Sequence, residues 1–350
     1  MSKRVTMDHI AQTAGVSRTT VSFVLNNVPD AKIRLETRQR ILDVARELNY
    51  VPDSAATSLA SGRAGTIALL ARRSTHQLVS DRFLLQVLLG ISAAVQAGGF
   101  HVLIEPLDPA DPTATYSKLV RSGRVDGVLV WGPRMDDDEI GQIHADGFPI
   151  VVIGRLPGSE VPSVGFDNIN GARLAVQHLI GLGHRRIACI TEASPDYLSS
   201  SDRLMGYQMA LEEAGIAYHE HLVRHADFTD EDSTRVVMDL FRSEPHPTAV
   251  FAGSDVVALG ALIAFRAMQN IRVPQDVALV GFGDIPLAEY VAPPLTSMRV
   301  PAFDLGFTAG EMLTRLIANP DIPVTSAILT TELIIRETCG ANLVQPKGLT

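Results

Sequence analysis

The stretch VTMDHIAQTAGVSRTTVSFVLNN, residues 5–27, predicts two short helices separated by a tight turn. Thr6 is a favourable N-cap residue, and Ile10 belongs to an apolar series at helical spacing. Gly15 supplies the turn, Ser17 caps the second helix, and Val21 lies on its inner apolar face. These helices are too short to be stable alone, so the stretch predicts a small domain in which they share a core.

A third amphipathic stretch, residues 37–48, follows and would support the pair. Two short helices joined by a tight turn and supported by a third form a helix-turn-helix, although an ordinary helical bundle shows the same pattern. The exposed face of the second helix carries Arg18, Thr19, Ser22 and Phe23. Arginine donates to guanine, and threonine bonds a base or touches a thymine methyl. We therefore predict that this helix reads DNA.

The charge of the chain is divided between a basic head and an acidic body. Residues 1–65 contain nine lysines and arginines against six acidic residues, whereas the whole chain has a net charge of −9. This division indicates that only the head approaches a polyanion such as DNA, although a fluctuation of composition would also produce it.

Length and composition exclude several classes of protein. A chain of 350 residues, of which 46% are hydrophobic and 20% charged, is globular and long enough for two or three domains. Its two cysteines, Cys189 and Cys339, lie far apart and indicate neither a disulfide framework nor a metal site. The start shows no secretory signal, and no run reaches the length of about 18 apolar residues that a membrane span requires. We therefore expect a cytoplasmic protein with no membrane partner.

From residue 66 onwards, predicted strands alternate with predicted helices, and the alternation restarts after residue 183. This order predicts an α/β fold with parallel sheets, arranged as two similar lobes. Arg203 is expected to open the helix that follows the strand RRIACIT, residues 185–191. Ligands of open α/β sheets bind at the carboxyl ends of the strands, so we expect a ligand cleft between the lobes.

Aromatic, arginine, serine and aspartate side chains stand close to the predicted strand ends. Rings stack on the C–H face of a sugar while polar groups bond its hydroxyls, so this combination suits a polyhydroxylated ligand. The alternatives are core packing for Trp131 and Phe228, a surface ion pair for Arg155 and a helix cap at Ser254. The expected effector-binding residues are Phe83, Trp131, Arg155, Arg203, Phe228, Ser254, Asp255 and Asp284.

Several linked motifs in a fixed order resemble the lactose-repressor (LacI/GalR) family of bacterial transcription regulators. In the head these are VTMDHIAQTAGVS, TVSFVLNN, TRQRILDVARELNYVP and the hinge SAATSLASGRAGTIALL. In the body they are NINGARLAVQHLIGLGHRRIACI, DRLMGYQMAL, PTAVFAGSDVVALGAL, VPQDVALVGFGD and PPLTSMRVP, which are similar to the periplasmic-binding-protein-like effector core of that family. The resemblance covers roughly residues 5–340.

The resemblance implies how the head meets DNA. The second helix lies in the major groove, and the hinge segment folds into a helix on the operator, where paired leucines wedge a central base step. By position the wedge is Leu59, packed beside Ala56 of the partner hinge. Phe23 departs from several relatives that carry arginine there, so the operator should differ at that base. The expected DNA-binding residues are Thr6, Ser17, Arg18, Thr19, Thr20, Ser22, Phe23, Asn26, Tyr50, Ala56 and Leu59.

Two positions of the body depart from the family pattern. Ser254-Asp255 stands where the family often has Asn-Asp, and Gly283 stands where the usual ligand-binding aspartate belongs. The resemblance implies a ligand contact for Arg203 and an aromatic contact for Phe228, with a sugar or glycoside as the effector. A purine, or a phosphorylated effector held by arginines of the cleft, is the alternative.

The resemblance also implies a division of the chain into domains. In this fold the polypeptide crosses between the lobes three times, and we expect the crossovers near 165, at 293–297 and near 325. The expected boundaries are 1–51 for the helix-turn-helix domain, 52–65 for the hinge and linker, 66–340 for the effector and dimerisation core and 341–350 for a tail. Lobe 1 comprises 66–165 and 298–324, and lobe 2 comprises 166–292 and 326–340.

No pattern in the chain indicates catalysis. There is no GxSxG or GxxxxGK[ST] motif, no acid–base pair and no complete set of metal ligands, so we expect neither an enzyme, a cofactor nor a metal site. The leading interpretation is a transcription regulator, most simply a repressor, that binds double-stranded operator DNA under the control of a small-molecule effector. We expect a homodimer, with a tetramer as the other option. A sugar-binding transport or chemoreceptor protein is the second interpretation, since the body alone fits it.

Overall fold

The computed structural model describes residues 5–25, 28, 31–51, 62–111, 113–269, 271–320 and 322–343. The chain divides into two compact units, Met1–Ala64 and Gly65–Thr350. Three of the expected DNA contacts, Asn26, Ala56 and Leu59, lie outside the described residues, as do positions 52–61 of the expected hinge.

The described part of the first unit consists of three helices, α1 (Met7–Ala14), α2 (Arg18–Leu25) and α3 (Leu35–Glu47). Gly15 turns the chain between α1 and α2 with φ +66°, which glycine adopts without strain. Ser17 is the predicted cap of α2, because its Oγ accepts the N–H of Thr20 at 3.1 Å. The three helices share one core, to which Ile10, Val21 and Ile41 contribute fully buried side chains.

The second unit alternates strands and helices as predicted. Its described elements up to the middle of the chain are β1 (Thr66–Ala71), α4 (Thr75–Ser80), α5 (Arg82–Gln96), β2 (His101–Pro106), α6 (Tyr116–Val120), β3 (Gly127–Trp131), α7 (Asp138–Ala145), β4 (Ile150–Ile153), β5 (Ser163–Phe166) and α8 (Asn168–Gly181). They continue with β6 (Ile187–Thr191), α9 (Leu198–Glu213), β7 (Val223–His225), α10 (Asp230–Leu240), β8 (Ala249–Ala252), α11 (Asp255–Met268), β9 (Ala278–Gly283), β10 (Thr296–Arg299), α12 (Ala302–Ala318), β11 (Ala327–Leu329) and β12 (Glu332–Ile334). Within the described ranges, none of the helices combines the length and the apolar character that a membrane span requires.

The strands form two sheets, one in each lobe. Among the described residues, the sheet of lobe 1 has the order β11-β5-β4-β3-β1-β2, and all of its strand pairs are parallel. The sheet of lobe 2 has the order β12-β10-β9-β8-β6-β7, with β12 antiparallel to β10 and the other pairs parallel. The predicted two-lobed α/β fold with parallel sheets is confirmed.

Helices cover both faces of each sheet. In lobe 1, α5 and α12 pack together on one face, and α6 and α7 cover the other. The first pair approaches very closely at Gly90 and Gly306, where an added Cβ would lie 2.0 Å from the carbonyl oxygen of Phe303 and of Val87, respectively. Only glycine fits at these two positions. In lobe 2, α8 and α9 cover one face and α10 and α11 the other.

Two of the three crossovers between the lobes lie later in the chain than expected. The chain leaves β5 of lobe 1 at Phe166, close to the expected position near 165. It then crosses after Arg299, not at 293–297, because β10 pairs with β9 and β12 in the sheet of lobe 2. It crosses again after Leu329, not near 325, because β11 pairs with β5 in the sheet of lobe 1. Positions 298–299 therefore belong to lobe 2, and 327–329 belong to lobe 1.

Candidate functional site: the cleft between the lobes

A cleft with about 900 Å³ of empty space opens between the two lobes of the second unit. Its walls come from the carboxyl ends of strands and from the loops and helix starts that follow them, as expected for paired parallel sheets. Of the eight expected effector-binding residues, seven line this cleft: Phe83, Trp131, Arg155, Arg203, Phe228, Ser254 and Asp255. The eighth, Asp284, does not.

Aromatic rings form the apolar part of the wall. Phe83 and Trp131 are stacked, with ring centroids 6.0 Å apart and an interplanar angle of 23°. Trp131 is 8% exposed, and its Nε1 is buried without a hydrogen-bond partner among the described residues. A buried N–H that lines a cleft and lacks a protein acceptor is available to a ligand oxygen.

Phe228 of lobe 2 is held in the cleft by an arginine of lobe 1. The guanidinium of Arg73 lies 3.6 Å from the centroid of the Phe228 ring, and its Nη1 donates to Oδ2 of Asp81 at 2.6 Å. Phe228 has φ +59°, a left-handed conformation that is uncommon for a bulky residue. Its N–H donates to the carbonyl of Glu192 at 2.8 Å, so the surrounding structure holds this conformation in place.

Arg155 spans the cleft to the opposite lobe. Its Nε and Nη2 donate to the two carboxylate oxygens of Asp202 at 3.1 and 2.5 Å, a fork-like arrangement that fixes both side chains. The Asp202 side chain is only 5% exposed, whereas that of Arg155 is 42% exposed. The surface ion pair considered for Arg155 is therefore an ion pair between the lobes, on a residue that also lines the cleft.

Arg203 lies in the second turn of α9 and does not open it, because the helix begins five residues earlier, at Leu198. Its guanidinium is buried, and two of its nitrogens, Nε and Nη1, have partners in lobe 2. Nε donates to Oδ1 of Asn168 at 2.9 Å, and Nη1 donates to the carbonyl of Gly253 at 2.6 Å. The same Nη1 lies 2.8 Å from Oε1 of Glu192.

Ser254 and Asp255 begin α11 at the edge of the cleft. Ser254 caps the helix, the alternative role considered from the sequence, since its Oγ accepts the N–H of Val257 at 3.3 Å. The carboxylate of Asp255 accepts the Ser297 hydroxyl at 2.5 Å and the N–H of Ile285 at 2.8 Å. Burial raises the pKa of Asp255 from 3.8 to about 6.

The expected role of Asp284 is not supported by its position. Its carboxylate is buried outside the cleft, where it accepts from Nε of Arg299 at 2.7 Å and from Nη1 of Arg336 at 2.6 Å. Two arginines already occupy it, so it acts as a structural anchor at the end of β9. The preceding Gly283 lines the cleft with φ +132°, and an added Cβ would lie 3.3 Å from Oδ2 of Asp255. A carboxylate at 283 would be strained and would face a second carboxylate.

Several polar residues of the cleft were not among those expected from the sequence. They are Arg73, Asp81, Asn168, Glu192, Ser199 and Asp202. Glu192 directly follows β6 and Arg73 stands two residues beyond β1, so the strand-end rule that identified Trp131 would also have identified these two. Asp81 and Ser199 lie at helix starts and Asp202 lies in the second turn of α9, and no spacing in the sequence distinguishes them from ordinary helix residues.

The expected DNA-reading face lies on the first unit. Arg18, Thr19 and Phe23 are exposed on α2, while Thr20 and Ser22 are half-buried. Arg18 is 70% exposed in its side chain and lies 3.9 Å from Asp8, a distance at which an ion pair is weak. Two further expected contacts have structural positions: Thr6 precedes α1 as its N-cap, and Tyr50 packs against the core of the three helices.

Comparison with protein families matches both units of the chain. Residues 6–53 match the model of bacterial regulatory proteins of the lacI family, and residues 176–339 match a periplasmic binding protein-like domain. The first match falls on the three-helix unit, and the second covers most of lobe 2 together with α12 and β11 of lobe 1.

Individual relatives match along nearly the whole chain. The HTH-type transcriptional regulator CelR of Thermobifida fusca is 35% identical over 339 residues, which is 96% of this chain and 98% of the relative. A solved complex of a transcriptional regulator CelR with cellobiose is 34% identical with a TM-score of 0.71, covering 96% of this chain and 100% of that one. A lac repressor dimer bound to operator and the anti-inducer ONPF is 26% identical with a TM-score of 0.81, covering 96% and 99%.

Proposed function

The chain belongs to the lacI family of bacterial regulatory proteins, and on that premise we propose that a neutral sugar or glycoside is its effector, bound in the cleft between the lobes. The protein is a DNA-binding transcription regulator controlled by a small molecule, and it is not an enzyme. The open question is therefore which chemical class of molecule occupies the cleft.

The charge balance of the cleft carries the proposal of a neutral effector. Three arginines line the cleft, and each one faces a carboxylate within hydrogen-bond distance. The pairs are Arg73 with Asp81, Arg155 with Asp202, and Arg203 with Glu192. A phosphate or carboxylate ligand would have to compete with these carboxylates in a poorly solvated site, which is unfavourable. This balance disfavours the phosphorylated effector considered from the sequence.

The chemical groups that line the cleft favour a sugar over a purine as the effector. The stacked rings of Phe83 and Trp131 would serve either ligand, because both present a flat or weakly polar face. The many carboxylate and guanidinium groups of the remaining wall suit a ligand that carries several hydroxyls. The similar CelR structure holds cellobiose, a neutral disaccharide, which agrees with this choice.

We further propose that the protein acts as a homodimeric repressor on operator DNA in the cytoplasm. The similar lac repressor was solved as a dimer on its operator. A dimer presents two helix-turn-helix units to two half-sites, and α2 with its exposed Arg18, Thr19 and Phe23 suits the major groove. The effector would act by favouring one arrangement of the lobes, which requires different affinities for the two arrangements.

A ligand panel tests the effector class. The full chain is heated with glucose, maltose, cellobiose, glucose 6-phosphate, adenine or guanine, and the thermal shift is compared with binding to an operator fragment selected from random DNA. We expect a neutral sugar to raise the melting temperature and to change operator affinity. A response confined to glucose 6-phosphate or to a purine would contradict the proposal.

A further inference from the structure

Glu192 is a buried carboxylate that stands directly after β6, at the carboxyl end of a strand next to the centre of the lobe 2 sheet. The residue is 4% exposed and lines the cleft. Its main-chain carbonyl accepts the N–H of Phe228, which ties the position of this residue to the aromatic wall. A buried acidic group beside a ligand cleft demands polar partners for both of its oxygens.

The two carboxylate oxygens of Glu192 have different surroundings. Oε1 accepts the hydroxyl of Ser199 at 2.8 Å and lies 2.8 Å from Nη1 of Arg203. Oε2 is buried and has no hydrogen-bond partner among the described residues. An added Cβ at Gly253 would lie 2.9 Å from Oε2, so a side chain at position 253 would crowd this oxygen.

We propose that Glu192 determines effector specificity: Oε2 accepts a hydrogen bond from an effector hydroxyl, and the carboxylate excludes anionic sugars from Arg203. The proposal rests on the proposed function, because it assigns a role within the same cleft. A carboxylate is an acceptor only, so the effector must present a donor at this point. In the opposite lobe, Nε1 of Trp131, another residue that lines the cleft, is a buried donor without a described partner.

A role limited to holding Arg203 does not account for this geometry. Oε1 alone meets the guanidinium, and Arg203 has further acceptors in Asn168 and in the carbonyl of Gly253. The second oxygen, on a residue that lines the cleft, has no hydrogen-bond partner among the described residues. The negative charge nevertheless matters for selectivity, because without it the guanidinium would lie uncompensated beside the ligand and would favour an anion.

The test compares the wild type with Glu192→Gln and Glu192→Asp by calorimetric titration with glucose, cellobiose and glucose 6-phosphate. Glu160→Gln, which removes an exposed carboxylate outside the cleft, is the matched control. Glu192→Gln removes the charge and replaces one acceptor, so we expect the affinity for the neutral sugar to fall by about tenfold or more and the preference over glucose 6-phosphate to shrink. Glu192→Asp keeps the charge, but its shorter side chain moves the carboxylate oxygens away from the ligand. We therefore expect weaker binding of the neutral sugar, with its preference over glucose 6-phosphate retained.

The outcomes separate this proposal from the proposed function. Unchanged neutral-sugar affinity in both variants would overturn the role of Glu192 alone. An equal loss for every ligand, with the preference unchanged in Glu192→Gln, would show a structural role and would also overturn it. A wild type that prefers glucose 6-phosphate to glucose would overturn the proposed effector class together with this role. If Glu192→Gln does not fold, Glu192→Asp still tests the acceptor, because it keeps the charge opposite Arg203.

Discussion

Arg155 of lobe 1 donates hydrogen bonds to both carboxylate oxygens of Asp202 of lobe 2, so one ion pair joins the two walls of the effector cleft. Further hydrogen bonds between the lobes accompany it, among them Gln77 to Asp227 at 2.5 Å and Arg82 to Asp230 at 3.2 Å. The structure therefore shows the lobes in a joined arrangement. A ligand that binds this arrangement more tightly than a separated one would stabilise it.

Arg155→Ala should destabilise the second unit. It leaves the Asp202 carboxylate, 5% exposed, without its guanidinium, and we expect the free energy of unfolding to fall by about 1–2 kcal/mol. The double variant Arg155→Ala/Asp202→Ala should recover part of this loss, because neither charge then remains unpaired. Urea denaturation of the wild type, Arg155→Ala, Asp202→Ala and the double variant measures the coupling. Strictly additive losses would mean that the pair carries no interaction energy. Arg242→Ala, which breaks an exposed pair with Asp239, should change little.

Trp131→Ala should abolish the response to the effector and leave operator binding intact. The substitution removes the stacking partner of Phe83 and a buried N–H of the cleft. Trp131→Phe keeps an aromatic ring and removes the N–H. Its effector affinity should therefore lie between those of the wild type and Trp131→Ala, about tenfold below that of the wild type. Gel-shift titrations with and without the bound sugar provide both readouts. Loss of operator binding in Trp131→Ala together with the sugar response would instead assign this ring to the core.

Arg18→Ala should weaken binding to the operator. A good bidentate contact to a base contributes about 1–3 kcal/mol, so we expect a loss of about tenfold to a hundredfold for the specific site. Arg46→Ala is the matched control, because the Arg46 side chain is also 70% exposed but stands in the last turn of α3. Fluorescence anisotropy with operator and with unrelated DNA separates the two effects. Equal losses on both DNAs would mean that Arg18 contacts phosphates and does not read a base.

Asp255→Asn should alter the dependence of stability on pH. Burial raises the folded-state pKa of Asp255 to about 6 from 3.8, so the folded chain binds this proton more tightly than the unfolded chain does. The contribution of Asp255 to stability is therefore highest below about pH 4 and falls as the pH rises to about 6. The asparagine variant should lack this fall, which corresponds to about 2–3 kcal/mol. Denaturation curves at several pH values between these limits compare the slopes, and parallel slopes would contradict the assignment.

Local chemistry made much of the fold predictable. The N-cap at Ser17 and the glycine turn at Gly15 appear where the sequence places them, because both depend on contacts within a few residues. The alternation of strands and helices from residue 66 follows in the same way, since buried parallel strands read as short apolar runs. Ser254 caps helix α11 (Asp255–Met268), which is the alternative considered for it from the sequence.

Strand pairs and ion pairs between segments distant in the sequence could not be predicted in this way. The crossover expected at 293–297 falls on β10, because Ser297 and Met298 pair with strands that are distant in the sequence. Asp284 follows a strand just as a ligand-binding residue would, yet Arg299 and Arg336 occupy its carboxylate. No local sequence pattern predicts the strand pairing of β10 or the ion pairs of Asp284.

The sequence by itself determined the family, the helix-turn-helix with its exposed Arg18, and three of the aromatic residues that line the cleft, Phe83, Trp131 and Phe228. These features depend on residue type and on spacing along one strand or helix. Only the tertiary structure decided which charges meet. It paired each arginine of the cleft with a carboxylate, made Asp284 a structural anchor and left one oxygen of Glu192 buried without a partner among the described residues. The physical reason is that an ionisable group acquires its role from the partners within a few ångströms, and the chain brings those partners from remote segments.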